Sequence, residues 1–220
     1  PEFRFGSFTT LGELLIETTT GADASKVKNY RRELNIDRAV ATVSYEYEGV
    51  NYRRESFISF PENVLAVRFS ADKAGMQNLL LGYTYNPCSE GTITADGDAG
   101  ILFSGRLDNN GMEYAVRIQA KVEGGSVKVT DGKLKVEGAD AVVFLLTADT
   151  DYKINFKPDY SDPKAYVGVE PLKTTAKWMK KAAKMDYAKL LDRHVKDYTS
   201  LYNRVNFTLK GETSDLPTNK

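Results

Sequence analysis

The segment from Tyr30 to Pro61, YRRELNIDRAVATVSYEYEGVNYRRESFISFP, constrains the fold more than any other part of the chain. Ala39 to Tyr47 alternates, with Val43, Tyr45 and Tyr47 on one side and Thr42, Ser44 and Glu46 on the other. A period of two marks a strand with one face buried. Glu48-Gly49 then supplies a turn, because glycine takes positive φ without a steric penalty. Asn51 to Phe60 returns as a second strand, with Tyr52, Arg54, Ser56 and Ile58 opposed to Arg53, Glu55, Phe57 and Ser59. The segment reads as two long strands joined by a tight turn.

Strand-like sequence recurs at Leu11 to Thr18, Val64 to Ser70, Asn78 to Tyr85, Ile101 to Leu107, Met112 to Glu123, Ser126 to Thr130 and Lys133 to Glu137. Turns are predicted at Asp96-Gly97, Asn109-Asn110-Gly111, Gly124-Gly125 and Asp131-Gly132. Ala141 to Ala148, AVVFLLTA, is almost wholly apolar and reads as a strand buried on both faces. Repeated short strands with glycine-rich turns predict a mainly β, antiparallel sandwich over residues 1–170.

The period changes after Pro171. Lys173 to Lys184 is predicted helical, with Trp178 as its single large anchor. Asp186 is placed to cap a second helix, in which Tyr187, Leu190, Leu191, Val195, Tyr198, Leu201, Tyr202 and Val205 recur at helical spacing. Asn206 to Lys210 is predicted to be a short return strand. The chain thus divides into a β domain, a helical linker with its return strand over 171–210, and a polar tail over 211–220.

The 30 basic and 30 acidic residues balance and are interleaved, so no net field draws the chain to nucleic acid. Cys88, the only cysteine, rules out an intrachain disulfide and a cysteine-based metal cluster. No apolar run is long enough to cross a bilayer as a helix. The N-terminus, PEFRFGSF, has none of the regions of a signal peptide.

His194, the only histidine, falls on the apolar face of the second helix. A lone histidine there could act as an acid or base, but a hydrogen-bonded packing role against the sandwich is the better reading. Glu13, Glu33, Glu55 and Glu113 invite a paired-carboxylate reading, yet no spacing singles out a pair. With Arg53 and Arg54 beside Glu55, cross-strand ion pairing is preferred. Asp149, Asp151, Asp159 and Asp162 suggest calcium, but their spacing does not match an EF-hand loop, and a solvated acidic loop is preferred. The 13 tyrosines could build a sugar-stacking platform, although alternation within strands is also how a sheet builds its core. No residue is assigned as catalytic, cofactor-binding or metal-ligating, and no cofactor is expected.

The order of sequence phrases carries a resemblance. RFGSFTTLGELLIET, followed by NYRRELNIDRAVATVSYEYEGVNYRRESFISFPENVLAVRFSADKAG, resembles the N-terminal β domain of glycoside hydrolase family 95. VVFLLTADTDY and DYAKLLDRHVKDYTSLYNRVNFTLKG resemble the junction leading into that family's catalytic barrel. The likeness covers nearly the whole chain and is weakest between Asn86 and Gly111. It implies a β-supersandwich with two linker helices, the non-catalytic part of a secreted or periplasmic inverting exo-glycosidase. The expected activity of the parent is α-L-fucosidase, with α-L-galactosides as a further substrate class. Its catalytic residues would lie in an (α/α)6 barrel beyond Lys220, so none is carried over, and the 220-residue chain is expected to be inactive alone. Family members also carry further β sequence, including a Gly-Asn-Gly strand, before the position of Phe5. Without it the chain is expected to expose sheet edges and to self-associate or borrow strands. A stand-alone carbohydrate-binding or adhesion module is the alternative, against which the helical tail argues.

Overall fold

A computed structural model describes residues 9–19, 23–207 and 211. Among these residues, twelve strands form two antiparallel sheets. The smaller contains β1 (Gly12–Thr18), β6 (Gln77–Tyr85), β11 (Lys133–Ala139) and β10 (Ser126–Thr130), in that order. The larger begins with β2 (Val27–Asn35), β3 (Val40–Tyr47), β4 (Val50–Ser59) and β5 (Val64–Ala71). It continues through β12 (Ala141–Thr150), β9 (Glu113–Glu123), β8 (Gly100–Leu107) and β7 (Ser89–Ala95). Helices α1 (Pro171–Ala182) and α2 (Tyr187–Tyr202) follow.

The expected hairpin turn is present: Glu48 and Gly49 have φ of 49° and 74°, and Tyr47 pairs with Val50. The residues before it are not one long strand. Tyr30 to Asn35 belongs to β2, which pairs with β3 through a separate turn whose last residue, Ala39, has φ 49°. Nearly every residue of β2 is exposed, so its sequence carries no alternation; it is a charged edge strand. None of the predicted strands covers β7, a polar edge strand whose burial alternates but whose inward positions are Ser89, Gly91 and Ile93, with one large apolar side chain among them.

β12 has the double burial its composition predicts. Val142 and Phe144 enter a core with Leu79, Leu81, Leu134 and Val136 of the small sheet and Ile101, Phe103, Val116 and Ile118 of the large one. Val143 and Leu145 face the other way, into a second core with Phe57, Val64, Ala66, Met179, Ala182 and Leu190. One strand therefore separates a sheet-on-sheet core from a helix-on-sheet core.

Two glycines shape the first core. Gly91 and Gly105 pair across β7 and β8, and a Cβ on either would come within 2.6 Å of Phe103 Cζ. The bare backbone lets that ring lie flat against the sheet, where it meets Tyr85 at 4.6 Å and Tyr114 at 4.8 Å between centroids.

The helices are locked by polar contacts as well as apolar ones. α1 starts at Pro171, two residues before the expected start, because proline suits the first helical position. Asp186 caps α2, its carboxylate accepting from Lys189 N at 2.7 Å. Lys121 donates to Ala183 O and Met185 O at 2.9 and 2.6 Å, satisfying carbonyls at the end of α1. Glu62, 1% exposed, accepts from Ser59 Oγ and Arg193 Nε at 2.7 Å each, with Lys181 at 3.6 Å. Trp178 is not the main anchor. Thr175, Met179 and Ala182 are the buried positions in the body of α1, while Trp178 is half-buried over a crevice shared with Leu14, Ile58 and Leu146. The predicted return strand is not seen at Asn206 and Phe207, which are irregular, and its remaining residues lie outside the described ones.

Gly105→Ala should cost about 1–3 kcal/mol through overpacking against the Glu90 carbonyl of the paired strand and the Phe103 ring, read by urea unfolding. Gly82→Ala, whose Cβ would meet nothing nearer than Lys133 at 3.6 Å, should be tolerated in the same assay. For Glu62, burial favours the neutral acid, but Ser59, Arg193 and Lys181 outweigh it and hold the carboxyl below its usual range. Its contribution to stability is complete above the ordinary glutamate range and is lost as pH falls through the lowered value. Glu62→Gln should therefore destabilise at pH 7 and flatten the acid limb of a stability–pH curve; an unchanged acid limb would refute this role.

Candidate functional site

His194 occupies the packing position expected of it. It is 5% exposed, and its ring stacks on Phe57 at 4.7 Å. Nε2 lies 3.1 Å from Arg38 O and 3.0 Å from Ala39 O. A nitrogen facing two carbonyl oxygens carries the proton, so Nε2 donates. With Tyr198, whose hydroxyl donates to Ile36 O at 2.7 Å, it ties α2 to the β2–β3 turn.

The candidate carboxylates do not converge on a reaction centre. Glu33 and Glu55 flank Thr42 from neighbouring strands, but each is paired with an arginine two residues earlier on its own strand. Those ion pairs run along the strand, not across it as expected, because residues i and i+2 share a face. Glu90 and Arg106 do form a cross-strand pair, at 3.0 Å. Glu13 lies on β1, and Glu113 donates its backbone N–H to Asp151 Oδ1 at 3.1 Å. Burial raises the Asp151 carboxyl above the usual range. Asp159 and Asp162 each cap a local turn, through Ser161 and Lys164 respectively. Among the described residues no group of three His, Cys, Asp or Glu side chains is placed to hold a metal ion.

The concave feature of interest lies elsewhere. The small sheet has four strands and the large one eight, so β2–β4 extend beyond β1. The step between them is a groove of about 360 Å³. Ile16, Val27, Val43 and Leu79 line it along with Tyr30, Tyr45, Tyr47, Tyr52, Arg54 and Gln77. Tyr45 and Tyr52 are direct cross-strand partners and stack at 5.2 Å with 14° between ring planes. Burial raises both phenols, so both hydroxyls keep their protons. Arg54 lies over the Phe69 ring at 5.8 Å.

Tyr30 joins this face through a β-bulge. Lys28 pairs with Glu46 and Arg31 with Ser44, so Asn29 and Tyr30 together oppose Tyr45. Asn29 takes φ 53° and its side chain holds Glu46 at 3.1 Å. In regular register Tyr30 would sit opposite Ser44 on the other face; the extra residue re-aims it into the groove. Gln77, at the end of the groove, is 3% exposed, and its Nε2 has no hydrogen-bond partner. Sequence reasoning weighed the tyrosines as a platform but missed the bulge, whose only sequence signal is an asparagine inside a strand.

A separate apolar surface gathers where α2 ends. Leu201, Val205 and Phe207 are exposed, as is Ile36 in the turn that Tyr198 contacts.

Comparison with known proteins places this architecture. A solved structure described as a candidate kojibiose phosphorylase from the human microbiome superposes with a TM-score of 0.59 at 10% identity, covering 86% of this chain and 27% of that one. At that identity the likeness is one of fold. Alpha-L-fucosidase 2 of Arabidopsis thaliana is 29% identical over 228 residues, covering 93% of this chain and 26% of its own length. The protein named Probable alpha-fucosidase A of Aspergillus niger is also 29% identical, over 97% of this chain and 27% of its own length. The chain thus spans about a quarter of the curated relatives it matches. The family described as glycosyl hydrolase family 65, N-terminal domain, matches residues 2–155. The chain belongs to that family of glycosyl hydrolase N-terminal domains and is similar in sequence to two named alpha-fucosidases.

Proposed function

We propose that this chain is the non-catalytic N-terminal part of a glycoside hydrolase that removes terminal α-1,2-linked L-fucose with inversion. The observation that carries the reading is the alignment of nearly the whole chain with about a quarter of each of two named alpha-fucosidases. The dispersal of the candidate carboxylates described above supports the non-catalytic part of it. In this reading the chemistry is supplied by a helical domain elsewhere in the parent protein, and the sandwich holds that domain in place.

The helices suit such a role. α1 and α2 bury one side on the large sheet through Met179, Ala182 and Leu190. In the last turn of α2 and just after it, Leu201, Val205 and Phe207 are exposed. Exposed apolar side chains of this size at the end of a docked helix suit a surface that a neighbouring domain covers. A binding module has less use for this arrangement.

The purified 220-residue chain should release no L-fucose from an α-1,2-fucosylated glycan, while the complete parent protein should. Release by the chain alone would refute the non-catalytic assignment. The doubly substituted Val205→Asp, Phe207→Asp protein should melt lower than the unsubstituted parent, whereas the same changes in the isolated chain should leave its melting temperature unchanged. Equal effects in both would remove these residues from the proposed interface.

A further inference from the structure

We infer that the groove beside β1 is a saccharide-binding site, in which a sugar ring lies against Tyr30, Tyr45 and Tyr52. Its chemistry is mixed in the way a pyranose requires. A sugar presents a C–H face, which packs on an aromatic ring, and a rim of hydroxyls, which need donors and acceptors. The stacked Tyr45–Tyr52 pair supplies flat apolar surface, and both rings keep a protonated hydroxyl. The groove's volume of about 360 Å³ falls in the range of small-molecule sites.

The backbone itself brings an aromatic ring to the groove. The bulge at Asn29 places a non-glycine residue at φ 53° and turns Tyr30, 61% exposed, toward the other two tyrosines. Bulges that re-aim a side chain are enriched beside functional sites. Residues from opposite sides of the sandwich, Tyr30 on β2 and Gln77 on β6, thus converge on one groove.

The inference does not rest on the fucosidase reading, because it concerns binding by this domain itself. Its test is titration of the isotope-labelled 220-residue chain with three neutral probes, followed by NMR. The probes are cellotriose, maltotriose and the trisaccharide fucosyl-α-1,2-galactosyl-β-1,4-glucose, each up to about 10 mM, the weak-affinity range of a single shallow site. At least one should give saturable shifts of the Gln77 side-chain amide and of the Tyr30, Tyr45 and Tyr52 rings. Tyr30→Ala, at an exposed position that does not threaten the fold, should weaken that probe about tenfold. Tyr160→Ala, at a tyrosine outside the groove, should leave affinity unchanged. Light scattering on the same samples separates the other occupant. A dimer whose contacts map to β1 and the groove, with no probe bound, would assign the groove to a second copy and overturn the proposal. Absence of shifts with all three probes, or shifts confined to other residues, would overturn it equally. Binding without fucose release would leave the non-catalytic assignment standing, so the two readings fail separately.

Discussion

Everything in this molecule depends on one strand being apolar on both faces. β12 is the central member of the large sheet, and its alternate side chains belong to different cores. Val142 and Phe144 hold the small sheet against the large one. Val143 and Leu145 hold the helices. A strand with one polar face could do only one of these things, and the domain would lack either its second layer or its third.

The polar contacts gain their significance from that arrangement. Once α1 and α2 lie on the sheet, their ends and charged residues must be satisfied where water is scarce. Lys121 from β9 serves the end of α1, Glu62 gathers Ser59, Arg193 and Lys181, and His194 serves the β2–β3 turn. These contacts come from sequence-distant segments, so they fix how the helices sit and not merely that they do.

What the sequence made legible follows from where burial imposes a pattern. The Glu48-Gly49 turn, the double burial of Ala141 to Ala148, the Asp186 cap and the packing role of His194 all rest on local rules, and all are present. β2 was illegible because a largely exposed edge strand has no inside to alternate with, and β7 because its inward positions are Ser89, Gly91 and Ile93, with one large apolar side chain among them. Trp178 misled because size is a poor guide to burial when small residues let a helix approach closely; Ala182 is fully buried and Trp178 is not. The tyrosine groove was half legible. The rings were visible as candidates, but their convergence depends on a one-residue bulge and on the unequal widths of the two sheets, which no local pattern records.

The position of β12 also sets the order of events in synthesis. Ser70 at the end of β5 pairs with Ala141 at the start of β12, and everything between them is made before that pairing can form. During that interval the β2–β5 meander has emerged with its inner edge open and with Phe57, Val64 and Ala66 lacking their helical cover. Long-range antiparallel pairing of this kind is slow and exposes adhesive surface on the way. The charged, largely exposed β2 at the outer edge then acquires a second meaning: it leaves the nascent half-sheet with one adhesive edge, that of β5, while the strand that covers it is still on the ribosome.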